Sequence, residues 1–209
     1  NRLRSFLRSD IPMDTKTIDT YNKLAREYDD ETLGFWDSFP RTFIDHFVAE
    51  VRGRVLDVGS GPGRDGLLLK NAGLDVVCLD ASSSMVELST GRGLVSVIGD
   101  FLELPFEEKS FDGVWAYTSL LHVSKQDFKK AVAEIKRVLQ EGGRLGLGLI
   151  EGEGEVYREN MGEGNARLFS YFKKEEVEEI LKTEGFEVVY FETITPGSRR
   201  YLQFIAVRR

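Results

Sequence analysis

Short apolar runs alternate with stretches of three-and-four spacing along most of the chain. Val55, Leu56 and Val58 form a run too short for a helix, so it reads as a buried strand. Residues 74–79, 94–98 and 144–150 read the same way, as does the run from Ser110 to Tyr117. Between these strands the spacing turns helical. Leu67, Leu68 and Leu69 begin a helix that Gly73 is placed to end. Phe128, Val132, Ile135, Val138 and Leu139 mark another, capped by the Ser124-x-x-Asp127 pattern and closed by Gly142-Gly143. Residues 173–183 form a third, stopped by Gly185. The last two apolar runs, 186–194 and 201–207, join through Thr195-Pro196-Gly197-Ser198 and predict a hairpin. Such alternation of strand and helix predicts an α/β fold around a mainly parallel sheet.

Two helices stand ahead of the first strand. Residues 13 to about 30 repeat apolar side chains at Ile18, Tyr21, Leu24, Ala25 and Tyr28, with Asp14 or Thr15 as cap. Residues 40–51 turn Phe43, Ile44, Phe47 and Val48 inward, and Pro40 suits the first turn. Residues 1–12, with Arg2, Arg4 and Arg8, read as a flexible extension ahead of Met13. Residues 151–165 are rich in Gly and Glu and predict a mobile surface loop, a lid or a solvated connection. Residues 13–209 then make one domain. Its parts are a helical cap (13–52), a ligand-binding half (53–150), and a closing segment of loop, helix and hairpin (151–209).

Composition narrows the function. The 209 residues are 41% hydrophobic and 30% charged, ordinary for a globular protein with a sizeable core. Lys and Arg total 28 against 35 Asp and Glu, a net charge of −7. That balance argues against a nucleic-acid substrate, whose phosphates favour a basic face. No apolar run approaches the ~20 residues of a membrane span, and no signal-peptide pattern is present. Cys78 is the only cysteine, so no intrachain disulfide forms, and it reads as a small core residue. A cytoplasmic protein is the simple expectation. With two histidines and one cysteine, no zinc-type ligand set is expected.

The chemistry concentrates in Val55-Leu56-Asp57-Val58-Gly59-Ser60-Gly61-Pro62-Gly63-Arg64-Asp65-Gly66, a strand, glycine turn and helix in that order. Glycines there let a ligand approach the backbone at the carboxyl end of a parallel sheet. Two readings compete. Gly61-x-Gly63-x-x-Gly66 matches the dinucleotide fingerprint, with Asp80 nineteen residues after Gly61 as the ribose acid. The other reading takes Asp57-x-Gly59-x-Gly61-x-Gly63, with an acid before the first glycine.

The second pattern resembles motif I of the class I S-adenosylmethionine-dependent methyltransferases that act on small molecules. The resemblance extends to residues 21–29 ahead of the motif, to Asp80-Ala81-Ser82-Ser83-Ser84-Met85, and to Asp100-Phe101 followed by Leu104-Pro105-Phe106. It implies a Rossmann-like seven-stranded sheet in the order 3-2-1-4-5-7-6, with strand 7 antiparallel and helices on both faces. It also implies S-adenosylmethionine as cofactor, S-adenosylhomocysteine as product, and a small-molecule acceptor. Gly59, Gly61 and Gly63 would lie along the methionine portion, with Asp57 tuning the loop. Asp80 would hold the ribose, and Asp100, Phe101, Ala81 and Met85 would surround adenine. Tyr21 would close over the methionine end, and the Tyr117 region would border the methyl group. His122 is the candidate general base, since its ordinary pKa is near ~6.5. Tyr21 and Tyr28 are equally readable as a packing face, and Ser82 or Ser83 as a helix cap.

Two other function classes stay open at this level. A nicotinamide-dependent oxidoreductase accounts for residues 61–80 but not for Asp100-Phe101 or the closing hairpin. A non-catalytic module that binds the cofactor is the other. The acceptor and the oligomeric state have no readable signature.

Overall fold

The structure, a computed structural model, describes residues 14–34, 37 and 41–209. Residues 1–13 and Pro40, on which expectations were placed, lie outside the described residues. The chain opens with α1 (Thr15–Lys23), α2 (Ala25–Glu31) and α3 (Thr42–Glu50). The Asp14 carboxylate caps α1 by accepting from Thr17 N at 2.9 Å. The single helix expected over residues 13–30 is therefore two. At the break Leu24 leaves helical geometry (φ −115°, ψ 25°), and the Asn22 carbonyl accepts from Ser84 Oγ at 2.9 Å.

The βα alternation then follows as read. It runs β1 (Arg54–Val58), α4 (Arg64–Asn71), β2 (Asp75–Asp80), α5 (Ser83–Gly91), β3 (Val95–Ile98) and β4 (Phe111–Tyr117). A short 3-10 turn at Leu120–His122, α6 (Lys125–Val138) and β5 (Leu139–Ile150) come next. Two strands not expected, β6 (Glu155–Arg158) and β7 (Arg167–Ser170), pair antiparallel as a separate ribbon. Then come α7 (Lys174–Thr183), β8 (Phe186–Ile194) and β9 (Tyr201–Arg208).

The main sheet has seven strands in the order β3-β2-β1-β4-β5-β9-β8. With the ribbon set aside, this is the 3-2-1-4-5-7-6 arrangement, and β9 is antiparallel to both its neighbours. Residues buried on both sheet faces explain the near-continuous apolar runs of β1, β4 and β9. Glycine permits close packing between neighbouring strands. A Cβ at Gly148 would collide with the Tyr117 ring, and one at Gly146 would stand 2.5 Å from Trp115.

Two apolar layers cover the sheet. One holds Leu56, Val114, Phe128, Leu147 and Phe204, and the other Phe43, Phe47, Val55, Leu69 and Trp115. Asp112 sits at the entry of β4, where it accepts from Arg54 N at 2.8 Å, at the opposite end of the strand from Tyr117.

The loop expected over residues 151–165 is corrected by the ribbon. All four residues of β6 are exposed, so its sequence carries no burial signal. β7 supplies the missing half, because Arg167, Leu168, Phe169 and Ser170 are all buried. No described helix is long and apolar enough to cross a membrane.

Candidate active site

The carboxyl ends of β1, β2 and β4 open into one cleft with about 950 Å³ of empty space, part of it open to solvent. At its floor the glycine turn changes direction sharply. Gly59 and Gly61 have φ of 66° and 52°, values that side chains disfavour. A Cβ at Gly59 would collide with Ser119, whereas one at Gly61 would meet nothing within 4 Å. Gly61 thus presents bare backbone to open space. Its amide donates to Asp80 Oδ2 at 2.8 Å, and Ser82 N donates to Oδ1 at 2.8 Å. Asp80 ties the ends of β1 and β2 together. Burial pushes its carboxyl up to about 6, while the amides of Ser82, Gly61 and Ala81 pull the other way.

Asp57 also lines the cleft. It is buried under α4, where a Cβ at Gly66 would stand 3.1 Å from its Oδ2 and 2.6 Å from Cys78 Sγ. Burial, then the charges of Asp65 and Asp80, raise its pKa well above the usual carboxylate range. Gly66, which completed the dinucleotide match, is a packing residue of α4. Asp65 faces the cleft and accepts from Trp115 Nε1 at 2.8 Å.

Ala81, Met85, Phe101, Tyr21, Tyr117 and His122 also line the cleft. Two expected residues stand behind the wall. Gly63 (φ 84°) starts α4 against Ser89 and Leu94. Asp100 is buried, and its Oδ1 accepts from Leu102 N at 2.8 Å, shaping the turn that presents Phe101. Ser82 is the cap of α5, accepting from Met85 N at 3.2 Å. The Tyr117 hydroxyl accepts from Gln203 Nε2 at 2.7 Å. Thr118, next along, is a β-branched residue at φ 54° on the cleft wall.

His122 belongs to a directed chain of hydrogen bonds. Its Nδ1 lies 2.5 Å from the Leu168 carbonyl, which can only accept, so Nδ1 carries the proton. Nε2 is then an acceptor and takes the Tyr21 hydroxyl at 2.8 Å. The Tyr21 oxygen in turn accepts from Arg167 Nη1 at 2.7 Å. Burial holds the imidazole down at about 4, and the Arg167 charge acts in the same direction. His122 is neutral near pH 7.

Helices α1 and α2 roof the cleft and are fastened on three sides. Along β7, Leu168 N donates to Thr17 Oγ1 (2.9 Å), Thr20 Oγ1 to the Ala166 carbonyl (2.9 Å), and Lys23 Nζ to Asn165 Oδ1 (2.8 Å). Toward α5, Asn22 Oδ1 accepts from Ser82 Oγ at 2.8 Å and Ser83 Oγ at 3.2 Å. Asp29 accepts from Arg64 Nη2 at 2.5 Å and from Arg92 Nη2 at 2.7 Å, pinning α2 to α4 and α5. Most of these residues escaped the sequence reading. Arg64 and Asp65 had a signal, adjoining the glycine turn. Arg167 had none, because nothing around it in sequence marks it as buried. Among the described residues no group of His, Cys, Asp and Glu is placed to hold a metal ion.

Residues 56–147 match the family model described as a methyltransferase domain. The chain is 37% identical over 116 residues to the demethylmenaquinone methyltransferase of Renibacterium salmoninarum, covering 54% of this chain and 48% of that one. It is 31% identical over 175 residues to the malonyl-[acyl-carrier protein] O-methyltransferase of Herminiimonas arsenicoxydans, covering 81% and 66%. The chain spans about half the length of several curated relatives that it matches. Its fold is similar to that of the Burkholderia thailandensis 1,6-didemethyltoxoflavin-N1-methyltransferase, solved with 1,6-didemethyltoxoflavin and S-adenosylhomocysteine bound. That likeness has a TM-score of 0.71 at 22% identity and covers 95% of this chain and 92% of the other. Strand order, glycine turn and relatives converge: this chain belongs to the class I S-adenosylmethionine-dependent methyltransferase family.

Proposed function

We propose that this protein transfers the methyl group of S-adenosylmethionine to a small-molecule acceptor, releasing S-adenosylhomocysteine. One observation carries the reading. A single cleft gathers the apolar Ala81, Met85 and Phe101, the acid Asp80, the bare backbone of Gly61, and Tyr21, Tyr117 and Ser119. An adenosyl group joined to an amino acid needs those surfaces together, apolar, acidic and backbone.

The residues present fit the cofactor. Ala81, Met85 and Phe101 would hold adenine, with Asp100 supporting the turn behind Phe101. Asp80 would accept from the ribose hydroxyls. Gly59, Gly61 and Tyr21 would lie along the methionine portion, and the hydroxyls of Ser60 and Ser119 are buried there without a partner among the described residues. Gly63 acts from behind, by starting α4, and Asp57 lines the cleft beneath that helix. The bound cofactor supplies an activated methyl on a sulfonium. The protein's own work is to orient two reactants and exclude water, which alone can lower a barrier by ~7–11 kcal/mol. In this reading His122 is an anchor for Tyr21, because its Nε2 is engaged and its basicity is low.

The net charge of −7 supports a small acceptor over nucleic acid, and a lone buried Cys78 fits a reducing cytoplasm. Calorimetry with S-adenosylhomocysteine and with NADH tests the cofactor. Uptake of NADH without S-adenosylhomocysteine would overturn the proposal. The Asp80→Ala variant is expected to weaken S-adenosylhomocysteine more than tenfold. A metabolite screen read by S-adenosylhomocysteine release identifies the acceptor.

A further inference from the structure

Arg167 is a cation buried among aromatic rings. It is 6% exposed, and its guanidinium lies 5.1 Å from the centre of the Tyr21 ring, 5.9 Å from that of Tyr28 and 5.2 Å from that of Phe169. Tyr21 and Tyr28 line the cleft, and Arg167 stands behind them. Two neutral oxygens take its hydrogen bonds, the Tyr21 hydroxyl at 2.7 Å and Asn160 Oδ1 at 2.8 Å. Asn160 lies in the exposed turn between β6 and β7 and is not among the residues that line the cleft. An apolar side chain of similar volume would fill the space among these rings without the cost of desolvating a charge. What the guanidinium alone supplies is a rigid fork that donates to two oxygens at once.

We infer that Arg167 is a positioning residue: it sets the Tyr21 side chain on the cleft wall, and through Asn160 it makes retention of the cofactor depend on the β6–β7 ribbon. The inference rests on the methyl-transfer reading of the cleft. The direction of the hydrogen-bond chain is imposed from both ends. A guanidinium can only donate and the Leu168 carbonyl can only accept, so the Tyr21 oxygen accepts from Arg167 and its hydroxyl donates to His122 Nε2. The hydroxyl therefore has one setting. The ring is boxed in as well. It meets the Tyr28 ring edge-on at 5.3 Å and the His122 ring at 5.4 Å, and the guanidinium lies over it.

Helix α1 does not need Arg167 to stay in place. Thr17 Oγ1 accepts from Leu168 N, and Thr20 Oγ1 donates to the Ala166 carbonyl, so the helix is seated on the β7 backbone. Arg167 adds the position of one side chain on that helix. The two ends of its fork are linked, because the guanidinium is planar and stiff. Without Asn160 the fork is free to turn, and Tyr21 loses a donor of fixed direction.

The test is calorimetry of the full chain with S-adenosylhomocysteine, with urea unfolding of each variant alongside. Arg167→Met should weaken binding about tenfold. Arg167→Lys, which keeps a cationic donor, should recover most of that loss. Asn160→Ala changes an exposed residue outside the cleft and should still weaken binding about threefold, with an unchanged urea midpoint. In the Tyr21→Phe background, which lacks the hydroxyl through which Arg167 acts, Arg167→Met should cost less than about twofold more. Additive losses in that pair, or full-strength binding by either Arg167→Met or Asn160→Ala, overturn the inference. If Arg167→Met does not fold, Asn160→Ala decides, because it leaves the buried side chains in place. An unaltered protein that takes up no S-adenosylhomocysteine sinks the methyl-transfer reading instead. The positioning of Tyr21 is then read without ligand: Arg167→Met should move the His122 ring resonances and Arg167→Lys restore them, and unmoved resonances overturn it.

Discussion

The Tyr21 hydroxyl donates to Nε2 of His122 across 2.8 Å, joining the roof of the cleft to the turn after β4. The direction of this bond follows from the Leu168 carbonyl on the far side of the ring, which leaves the histidine only one tautomer.

His122 is therefore expected not to titrate near neutrality. Its imidazole proton resonances should stay flat from pH 8 to pH 6 and move only toward pH 4. The folded pKa is depressed below the ordinary 6.5 to about 4, so the unfolded chain takes up the proton first. Stability is full above about 6.5 and falls as pH drops toward 4, by at most ~1.4 kcal/mol per unit. A resonance titrating near 6.5 in the native protein would contradict the hydrogen-bond chain.

Asp29 offers a second test. Its carboxylate serves Arg64 and Arg92 together, and all three side chains are largely buried, at 16%, 16% and 26% exposure. Asp29→Ala leaves two cations without their partner, and a loss of about 1–3 kcal/mol is expected in urea unfolding. Exposed pairs such as Arg54–Asp75 are worth under about 1 kcal/mol, so Asp75→Ala is the control. Because Asp29 pins α2, dissociation of S-adenosylhomocysteine should also quicken, as read by stopped-flow fluorescence. Equal effects from the two variants would refute the clamp.

Gly66→Ala separates packing from helix propensity. In a helix interior alanine should gain up to about 1 kcal/mol over glycine. Here the new methyl would lie 2.6 Å from Cys78 Sγ, between two elements that cannot easily part. Overpacking of this kind costs about 1–3 kcal/mol and should win. Gly66→Ala is expected to lower Tm, and adding Cys78→Ala should recover part of the loss. A more stable single variant would show that α4 shifts freely over β1.

Much of this molecule was legible before its coordinates, for identifiable reasons. β1, β2 and β4 are buried on both faces, so their apolar runs are continuous, and the glycine turn has a fixed spacing. Asp80 sits where a strand of known length must end. The roof was harder. Tyr21 could be placed near the site by resemblance, but its partners come from residues 122 and 167, far apart in sequence. The β6–β7 ribbon was missed because an exposed strand of Glu, Val, Tyr and Arg has no burial pattern to read. Gly63 and Asp100, expected at the ligand, are not among the residues that line the cleft: Gly63 starts α4 against Ser89 and Leu94, and Asp100 accepts from Leu102 N beside Phe101. Sequence spacing fixes which strand end a residue occupies, not whether its side chain or its neighbour's faces the cleft.

The last expectation concerns Asp80 and pH. In the free protein its carboxyl is raised to about 6 by burial, against the help of three amides. Ribose hydroxyls donate hydrogen bonds, so they need the ionised acid. Above pH 7 the carboxylate is already ionised, and the affinity for S-adenosylhomocysteine should be flat. Below pH 6 binding must first expel a proton, and the affinity should fall by about tenfold between pH 7 and pH 5. Calorimetry in buffers of different ionisation enthalpy should show proton release on binding at pH 5.5 and almost none at pH 7.5. Asp80→Asn cannot titrate, so its weaker affinity should not vary over this range. If Asp80→Asn keeps the tenfold slope, the proton belongs to another group. Asp57, whose pKa is also raised, is the first to examine, and the ribose role of Asp80 would then lose its support.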